Sequence, residues 1–251
     1  MKKVVLFDFH NTLATCDGWL DLEIRTLPGA VLRKLGEQGL VGSSAADASE
    51  EATQLFRRLR RSVHESGREV SAVEGTATVL RQMSIEVPVE EIERVVERLE
   101  YDLLPTVEMI EGVDHALERL RDAGCRLGVV SSAGYPPFVE LALEKLGLRS
   151  YFGEVITSAG TGLYKSDPEI YRLAARLLGA LPSEAAHVGD HPTFDVRSAR
   201  EAGLAAVWFI PQAWRTAQVR GESWSDFIAG ADADAVVERM DELYDVIAGL
   251  G

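Results

Sequence analysis

The fold is decided by Val4-Val5-Leu6-Phe7-Asp8, a run of four apolar residues that ends abruptly on an aspartate. Three of the four are β-branched or aromatic, which is typical of a buried parallel strand. Ligands bind at the carboxyl ends of the strands in open α/β sheets, so this strand would deliver a carboxylate to the binding edge. Asn11 and Thr12 follow, and such short hydrogen-bonding side chains are typical of a turn. Asp8 is therefore the candidate nucleophile, and the other segments are judged by whether they converge on it.

Composition limits the class of protein and its partners. The chain has 251 residues, of which 46% are apolar and 26% charged, enough for one large domain or a domain with an insert. A formal net charge of −14 argues against nucleic acid and anionic membranes as main partners. It is compatible with a small anionic substrate, because a metal ion and a few cationic side chains can reverse the local field.

The first residues and the cysteines predict a cytoplasmic location. Met-Lys-Lys has the charge of a secretory leader, but only four apolar residues separate it from Asp8. No apolar run approaches the roughly 18 residues of a membrane-spanning helix. Cys16 and Cys125 are too few for a disulfide framework, and a reducing cytosol is the simpler interpretation.

Helical patterns dominate residues 20–104. Ser49 is placed to cap a helix with acidic residues in its first turn and arginines in its last, which complements the helix dipole. Ser71 with Glu74 three residues later predicts a capping box at the start of another helix. Apolar residues on one face predict a third helix over 90–104.

Two other features of this region are assigned to solvent-facing structure. The small polar stretch 39–48 predicts a loop between helices. We expect the arginines at 57, 58, 60 and 61 to form a solvated helix face, with contact to an anionic substrate as the alternative.

From Pro105 onward, strand and helix patterns alternate. Strands are predicted over 126–130, 154–157, 185–188 and 205–210. Helices are predicted over 112–123, 136–146, 167–178 with Asp167 at the cap and Pro168 at the first position, 194–202 and 233–247. Such alternation predicts an α/β fold with a parallel sheet covered by helices, and the helical region becomes an insertion after the first strand.

Polar residues of complementary types stand at or after the predicted strand ends, and their motifs resemble those of the haloacid dehalogenase superfamily. The four motifs, in chain order, are Asp8-Phe9-His10-Asn11-Thr12, Val129-Val130-Ser131-Ser132, Lys165-Ser166-Asp167-Pro168 and Gly189-Asp190-His191-Pro192-Thr193-Phe194-Asp195. The resemblance covers the whole chain. It implies a Rossmann-like core formed by residues 1–14 and 105–251, with an α-helical cap domain formed by residues 15–104.

The resemblance also implies a chemistry, namely Mg²⁺-dependent hydrolysis of a small phosphomonoester through an aspartyl-phosphate on Asp8. Lys165 would neutralise Asp8 and the phosphoryl group, and the substrate would be bound by Thr12, Ser131 and Ser132. The metal ligands would be Asp8, the backbone carbonyl of His10, Asp190 and, directly or through a neighbour, Asp195.

Two residues depart from the superfamily pattern. Ser132 stands where an asparagine is frequent. His10 stands where phosphatases of this superfamily have an aspartate that protonates the leaving group and then activates water. Imidazole can perform both tasks. Alternatively, His10 only fills space and the substrate has a leaving group that needs no acid.

Three other functions stay open. A hydrolytic haloacid dehalogenase also lacks the second aspartate of the first motif but needs no metal, so Asp190 and Asp195 argue against it. A phosphonate hydrolase needs a cap lysine, and Lys34 is the single lysine between residues 15 and 104. The third is a non-catalytic binding or regulatory protein, suggested by His10 and Ser132.

The remaining candidates are assigned structural roles or left undecided. Trp19 either lines the substrate pocket or anchors the cap, and Cys16 is expected to pack at the same junction. His191 lies beside Asp190 but is expected to have no catalytic task. His64, His115 and His187 lack metal-ligand spacing, and no nucleotide-binding motif is present.

Overall fold

The computed structural model of the protein describes residues 2–42, 47–211 and 232–250. Its strands, in chain order, are β1 (Val4–Phe7), β2 (Ala14–Cys16), β3 (Val107–Met109), β4 (Arg126–Ser131), β5 (Phe152–Thr157), β6 (Ala185–Gly189), β7 (Ala205–Phe209) and β8 (Ala235–Val237). Within the described ranges, six of them form one parallel sheet in the order β5-β4-β1-β6-β7-β8. The predicted α/β fold with a parallel sheet is confirmed.

β1 lies at the centre of this sheet, and its register determines which residues meet at the carboxyl edge. Phe7 is paired with Val129 on β4 and with Val188 on β6. Because parallel strands end at the same edge, the residues that follow these three positions emerge side by side. All four residues of β1 are buried, which explains why the strand is apolar throughout rather than alternating.

Helices cover both faces of the sheet and form the insertion between β2 and β3. They are, in chain order, α1 (Trp19–Asp21), α2 (Leu27–Glu37), α3 (Ser49–Ser66), α4 (Ala72–Gln82), α5 (Val89–Tyr101), α6 (Val113–Asp122), α7 (Pro136–Lys145), α8 (Ser158–Thr161), α9 (Glu169–Leu177), α10 (Ser198–Glu201) and α11 (Leu243–Gly249). Val5 and Phe7 share one core with α6, α7 and α11, whereas Val4 and Leu6 share the other with α9 and α10. This division follows the two-residue period of a strand. None of the described helices is long and apolar enough to cross a membrane.

The helices α1 to α5 form an insert with a hydrophobic core of its own. That core contains Leu27, Leu35, Phe56, Leu80 and Val96, together with apolar neighbours from α2 to α5. The chain enters the insert after β2 and leaves it before β3, and these two strands pair antiparallel. The sequence did not predict this pair, because three-residue strands are too short to show a periodic pattern.

Most predicted elements are present within a few residues of their expected ends. The capping box is confirmed, since the Ser71 hydroxyl accepts from the Glu74 N–H and the Glu74 carboxylate accepts from the Ser71 N–H. Asp167 was expected to cap a helix with Pro168 at its first position. Its Oδ1 accepts from the Glu169 N–H at 3.0 Å, but α9 begins at Glu169 and Pro168 occupies the cap position, so both placements were wrong by one residue.

Other expectations were wrong. The final helix was expected over 233–247, but its first half is the edge strand β8 and a 3₁₀ turn, because Val236 and its neighbours extend the sheet beside β7. Ser49 is not a cap but the first residue of α3, and no side-chain cap forms there. The helix expected over 194–202 is a π-helical segment, Pro192–Arg197, followed by the short α10. Part of the loop predicted over 39–48 lies outside the described residues.

Candidate active site

Asp8 directly follows β1 at the carboxyl edge of the sheet and is only 7% exposed. Its N–H donates to the Val188 carbonyl at 2.9 Å, which extends the pairing of β1 with β6 by one residue. Its Oδ1 lies 2.7 Å from Lys165 Nζ, and its Oδ2 accepts from the Thr12 hydroxyl at 3.3 Å. Burial raises the pKa of Asp8, although Lys165 opposes that shift. Both carboxylate oxygens are thus held in fixed directions.

Lys165 is the cation of the site and is 2% exposed. Its ammonium group pairs with the carboxylates of Asp8 and Asp195. Burial alone would lower the pKa of Lys165, but Asp195 and Asp8 outweigh it and raise the pKa well above its ordinary value. The side chain therefore stays charged at neutral pH.

Asp195 holds Lys165 in place and is itself held by two further groups. Its Oδ1 pairs with Lys165 and lies 2.9 Å from His187 Nε2, and its Oδ2 accepts from the His191 N–H at 2.9 Å. Burial would raise the pKa of Asp195, but Lys165 and His187 hold it below its ordinary value. Gly189 permits this packing, because a Cβ there would lie 2.3 Å from Asp195 Cγ.

His187 belongs to the site although its sequence spacing did not suggest a role. It is fully buried on β6, and burial lowers the pKa of the imidazole despite the nearby Asp195. The neutral ring therefore donates from Nε2 to Asp195, and Nδ1 has no hydrogen-bond partner within the described residues. A polar residue inside an otherwise apolar, buried strand was the signal that could have identified it.

Asp190 completes a group of three buried carboxylates. One oxygen each from Asp8, Asp190 and Asp195 lies within 4.8 Å of the others. Burial and the charge of Asp8 raise the pKa of Asp190 well above its ordinary value, while Asn11 opposes the shift by hydrogen bonding. Lys165 supplies one positive charge against three carboxyl groups, so the donor set fits a hard divalent cation such as Mg²⁺. Asp195 is a weaker candidate for a direct ligand than Asp190, because Lys165, His187 and the His191 N–H already occupy both of its oxygens.

The turn after Asp8 places His10 at the junction with the insert. Asn11 has a φ of 63° and its N–H donates to the Ala14 carbonyl at 2.8 Å, a left-handed conformation that asparagine tolerates well. The His10 ring lies 5.5 Å from the Trp19 ring, centroid to centroid. Burial lowers the pKa of His10, and Asp8 opposes the shift. Trp19 packs as an anchor of the insert, since it is buried and stacks on Phe138 with 5.1 Å between ring centroids.

The serines of the second motif lie at the same edge. Ser131 is the last residue of β4 and is buried. Ser132 Oγ is buried and makes no hydrogen bond of ordinary geometry within the described residues, although the Tyr164 side chain lies close enough to interact with it. A buried hydroxyl of this kind is suited to binding a polar atom of a ligand.

Comparison with known proteins gives the family. The model for haloacid dehalogenase-like hydrolases matches residues 2–203. The chain belongs to this family. The expectation of an enzyme of the hydrolase class is thereby confirmed.

Individual relatives of this hydrolase carry different activities. Glyceraldehyde 3-phosphate phosphatase from Methanopyrus kandleri is 29% identical over the whole chain and 99% of its own length. Phosphoserine phosphatase from Thermus thermophilus is 38% identical, but over only 45% of this chain and 42% of that enzyme. The crystal structure of 2-haloacid dehalogenase from Pseudomonas syringae pv. Tomato matches all of both chains, with a TM-score of 0.65 and 25% identity.

The hydrolase's predicted site residues meet at one edge of the sheet. Asp8, Lys165, Asp190 and Asp195 lie in contact or within one carboxylate cluster, and Thr12 binds Asp8. The prediction of a solvated arginine face was wrong for Arg60, which is buried with 5% exposure. Arg57, Arg58 and Arg61 are exposed, as predicted. The catalytic, substrate-binding and metal-binding roles stay predictions.

Two buried carboxyl groups that the sequence did not single out join the insert to the site. Glu23 accepts from the N–H groups of Gly134 and Tyr135 at 2.6 and 3.0 Å, just after the serine pair. Glu100, at the other end of the insert, accepts from Trp19 Nε1 at 3.0 Å. Burial raises the pKa of Glu23 to about 7, and burial together with Glu23 raises the pKa of Glu100 to about 10. The pair therefore retains a proton at neutral pH.

The free energy of unfolding of this hydrolase should decrease as pH rises through the neutral range, because the folded state holds a proton on Glu23 and Glu100 that the unfolded state releases. Below about pH 4.5 both states are protonated and the contribution is complete. Above that pH the unfolded chain releases protons that the folded chain keeps, up to about pH 7 for Glu23 and about pH 10 for Glu100, so the contribution is lost over these two ranges. The loss is at most about 1.4 kcal/mol per pH unit for each proton. Glu100→Gln keeps an acceptor for Trp19 and removes the titration, so we expect its Tm to fall less than that of the wild type between pH 6 and 9. Glu93→Gln, an exposed change on the same helix, is the control. Parallel curves of Tm against pH for Glu100→Gln and wild type would contradict the retention of a proton by Glu23 and Glu100 at neutral pH.

Proposed function

We propose that this protein is a phosphatase that hydrolyses a small phosphomonoester through an aspartyl-phosphate on Asp8, with Mg²⁺ as the metal ion. The observation that carries the proposal is the position of Asp8, which touches a buried ammonium group and lies beside the carboxyl groups of Asp190 and Asp195. Phosphoryl transfer requires positioning and charge neutralisation more than covalent chemistry from the protein. A nucleophilic carboxylate surrounded by a cation and further metal-binding oxygens meets these requirements.

The proposed reaction has two displacements at phosphorus. The Asp8 carboxylate attacks the phosphoryl group, an oxygen–phosphorus bond forms, and the bond to the leaving alkoxide breaks while the imidazolium form of His10 gives that oxygen a proton and becomes neutral. Water then attacks phosphorus with His10 as the base, which releases inorganic phosphate and restores Asp8. Mg²⁺ would be held by Asp8, Asp190 and the His10 carbonyl, and when bound it would neutralise charge on the transferring group.

The other residues keep the reacting groups in place. Lys165 stays charged and orients Asp8, and we propose that Asp195 acts mainly by holding Lys165, because its two oxygens are occupied by Lys165, His187 and the His191 N–H. Ser131 and Ser132 would donate hydrogen bonds to phosphoryl oxygens. Thr12 would contribute by fixing Asp8 Oδ2 as well as by contact with the substrate.

We also propose that residues 15–104 act as a cap over a core formed by residues 1–14 and 105–251. The insert has a separate hydrophobic core, and its two connections to the sheet pair as β2 and β3, which supports this division. A cap that closes would exclude water and select the substrate.

A cytoplasmic location is consistent with Cys16 and Cys125, which are both free thiols and buried.

The alternatives are less well supported. The structural similarity to a haloacid dehalogenase concerns the fold, whereas Asp190 beside Asp8 provides oxygen ligands for a metal that dehalogenation does not need. A phosphonate hydrolase needs a cap lysine near the substrate, but Lys34 is partly exposed on α2 and pairs with Glu37 at 2.9 Å. The ion pair between Asp8 and Lys165 argues against a non-catalytic protein.

A substrate panel tests the proposal directly. Phosphomonoesters, phosphonates and 2-haloacids are each assayed with Mg²⁺ and with excess EDTA. We expect turnover of phosphomonoesters alone, its loss in EDTA, and recovery when Mg²⁺ is restored, because Asp190 and Asp8 need a cation between them. Asp190→Asn should raise the Mg²⁺ requirement or remove activity, whereas the exposed Asp17→Asn should behave as wild type. Dehalogenation in EDTA would replace the phosphatase proposal with the dehalogenase.

A further inference from the structure

The loop that carries Lys165 is hydrogen-bonded to the insert on both sides of the lysine. Before it, the Tyr164 N–H donates to the Gly67 carbonyl at 2.8 Å. After it, the Ser166 hydroxyl donates to the His64 carbonyl at 2.8 Å. His64 belongs to the last turn of α3, and Gly67 ends that helix. Lys165 is thus placed between Tyr164 and Ser166, which are both hydrogen-bonded to the insert.

A second backbone contact and a buried ion pair strengthen this attachment. The Glu69 N–H donates to the Gly162 carbonyl at 3.0 Å, so the contact resembles a short antiparallel bridge. The Glu69 carboxylate pairs with Arg60 and accepts from the Ser158 hydroxyl at 2.7 Å. Breaking a buried charged contact of this kind is costly, because it leaves a charge without its partner. The insert is therefore fixed to the Lys165 loop by directional contacts as well as by apolar packing.

Aromatic packing fills the space between the insert and the loop. The His64 ring stacks on the Tyr164 ring with 4.7 Å between centroids and an interplanar angle of 23°. The Arg60 guanidinium lies 5.4 Å from the centroid of the same ring, and Phe194 meets the ring edge to face at 5.3 Å. Tyr164, the residue before Lys165, therefore packs directly against α3.

Gly67 is required for this close approach. Its φ is +68°, and a Cβ at this position would lie 2.9 Å from Asp167 Cβ. The positive φ favours glycine in any left-handed helix cap. The short distance to Asp167 arises only because the insert meets the Lys165 loop here, since Asp167 lies two residues after the lysine.

We propose that the segment 60–69 of the insert positions Lys165, so that contact between the insert and the core completes the charge-neutralising site rather than only selecting the substrate. The residues concerned are positioning residues, since none of them touches Asp8 in the structure. The inference rests on the proposed function for its effect on turnover. A displacement of a catalytic group by about 1 Å can cost about 10²-fold in rate, so a small shift of this loop matters.

The test compares two glycines of the insert that have nearly the same positive φ. Gly39 has a φ of +71° and nothing within 4 Å of the position of a Cβ, so Gly39→Ala introduces left-handed strain without a new contact. Gly67→Ala introduces the same strain and a clash with Asp167. We expect Gly67→Ala to lower kcat about 10- to 100-fold with KM changed much less, and Gly39→Ala to leave both near wild type despite a similar fall in Tm. Equal kcat values in the two variants, or a loss confined to KM, would overturn the proposal.

Two further measurements keep the test decisive if Gly67→Ala does not fold or if the enzyme acts on another substrate class. Ser166→Ala removes the hydroxyl that binds the His64 carbonyl and should lower kcat, while Ser166→Thr retains a hydroxyl and should restore most of it.

Acetylation of Lys165 by acetic anhydride, followed by mass spectrometry, requires no turnover. Its rate should rise in Gly67→Ala or Ser166→Ala and stay at the wild-type value in Gly39→Ala. If wild type fails to hydrolyse phosphomonoesters, the proposed function fails while the labelling rates still decide the positioning. Unchanged labelling in both variants would overturn the positioning itself.

Discussion

Asp8→Asn should abolish turnover while leaving the fold intact. The two side chains are nearly isosteric. An amide oxygen can still accept from Lys165 while the amide NH₂ donates to the Thr12 hydroxyl, but the amide cannot form the aspartyl-phosphate. The change also removes one of three carboxyl groups that lie within 4.8 Å of one another, so the repulsion that burial intensifies becomes smaller. We therefore expect a Tm equal to or above that of the wild type. Residual kcat should be under a hundredth of wild type, a loss of more than about 2.7 kcal/mol in transition-state stabilisation.

Beryllofluoride provides a second measurement for Asp8 that does not depend on the substrate. With Mg²⁺ it imitates an aspartyl-phosphate, so it should raise the Tm of the wild type and leave that of Asp8→Asn unchanged. Asp17→Asn, the same chemical change at an exposed position nine residues further on, should respond as wild type does. Retention of more than about a hundredth of wild-type kcat by Asp8→Asn would make covalent catalysis by this residue untenable.

The residues that meet around Asp8 could be predicted because each is tied to a strand end. A short apolar run followed by a polar residue marks the end of a buried strand, and parallel strands deliver such residues to one edge. Asp8 and Asp190 were identified in this way, and the pairing of β1 with β6 brings them together. Lys165 follows no strand directly, and the resemblance to the family's third motif was needed to include it.

The groups that support the site could not be predicted, because their sequence pattern is that of ordinary surface residues. Glu100 is one of several glutamates on α5, and only its position on the face that meets Trp19 makes it buried. Arg60 stands among four arginines, and the packing of α3 against the core selects it for burial with Glu69. Partners so far apart in sequence leave no local periodicity, so their charges look solvated until the tertiary fold is known.

The insert shows the same division between local and tertiary information. The capping box of Ser71 lies within four residues and was predicted correctly. The hydrogen bond from the Ala72 N–H to the Gly134 carbonyl, at 2.8 Å, lies one residue away and could not be foreseen. The loop after Ser131 and Ser132 is therefore hydrogen-bonded to the insert in two places, namely to Ala72 at the start of α4 and to Glu23 near the beginning of the insert. The insert therefore contacts the second and third motifs of the core, and not only the substrate space between them.

His10→Ala should slow the hydrolysis of alkyl phosphates by a factor of about 10² to 10⁴, because an alkoxide leaving group needs a proton. The loss should be much smaller with p-nitrophenyl phosphate, whose leaving group departs without one. Single-turnover assays are needed, since they separate formation of the aspartyl-phosphate from its hydrolysis. His115→Ala, an exposed histidine on α6, serves as the control and should match wild type on both substrates.

His10→Asp distinguishes the role of the side chain from that of the backbone. It supplies the aspartate usual in phosphatases of this family and leaves the carbonyl of residue 10 in place, so we expect activity on alkyl phosphates to be kept or increased. The ring contact with Trp19, at 5.5 Å between centroids, is lost in both variants, and any effect of that contact on the insert appears equally in both. Activity lost in His10→Ala but kept in His10→Asp therefore assigns the effect to proton transfer. Equal losses on alkyl and p-nitrophenyl phosphates would rule out protonation of the leaving group, and no loss on either would make His10 a spacer beside Trp19.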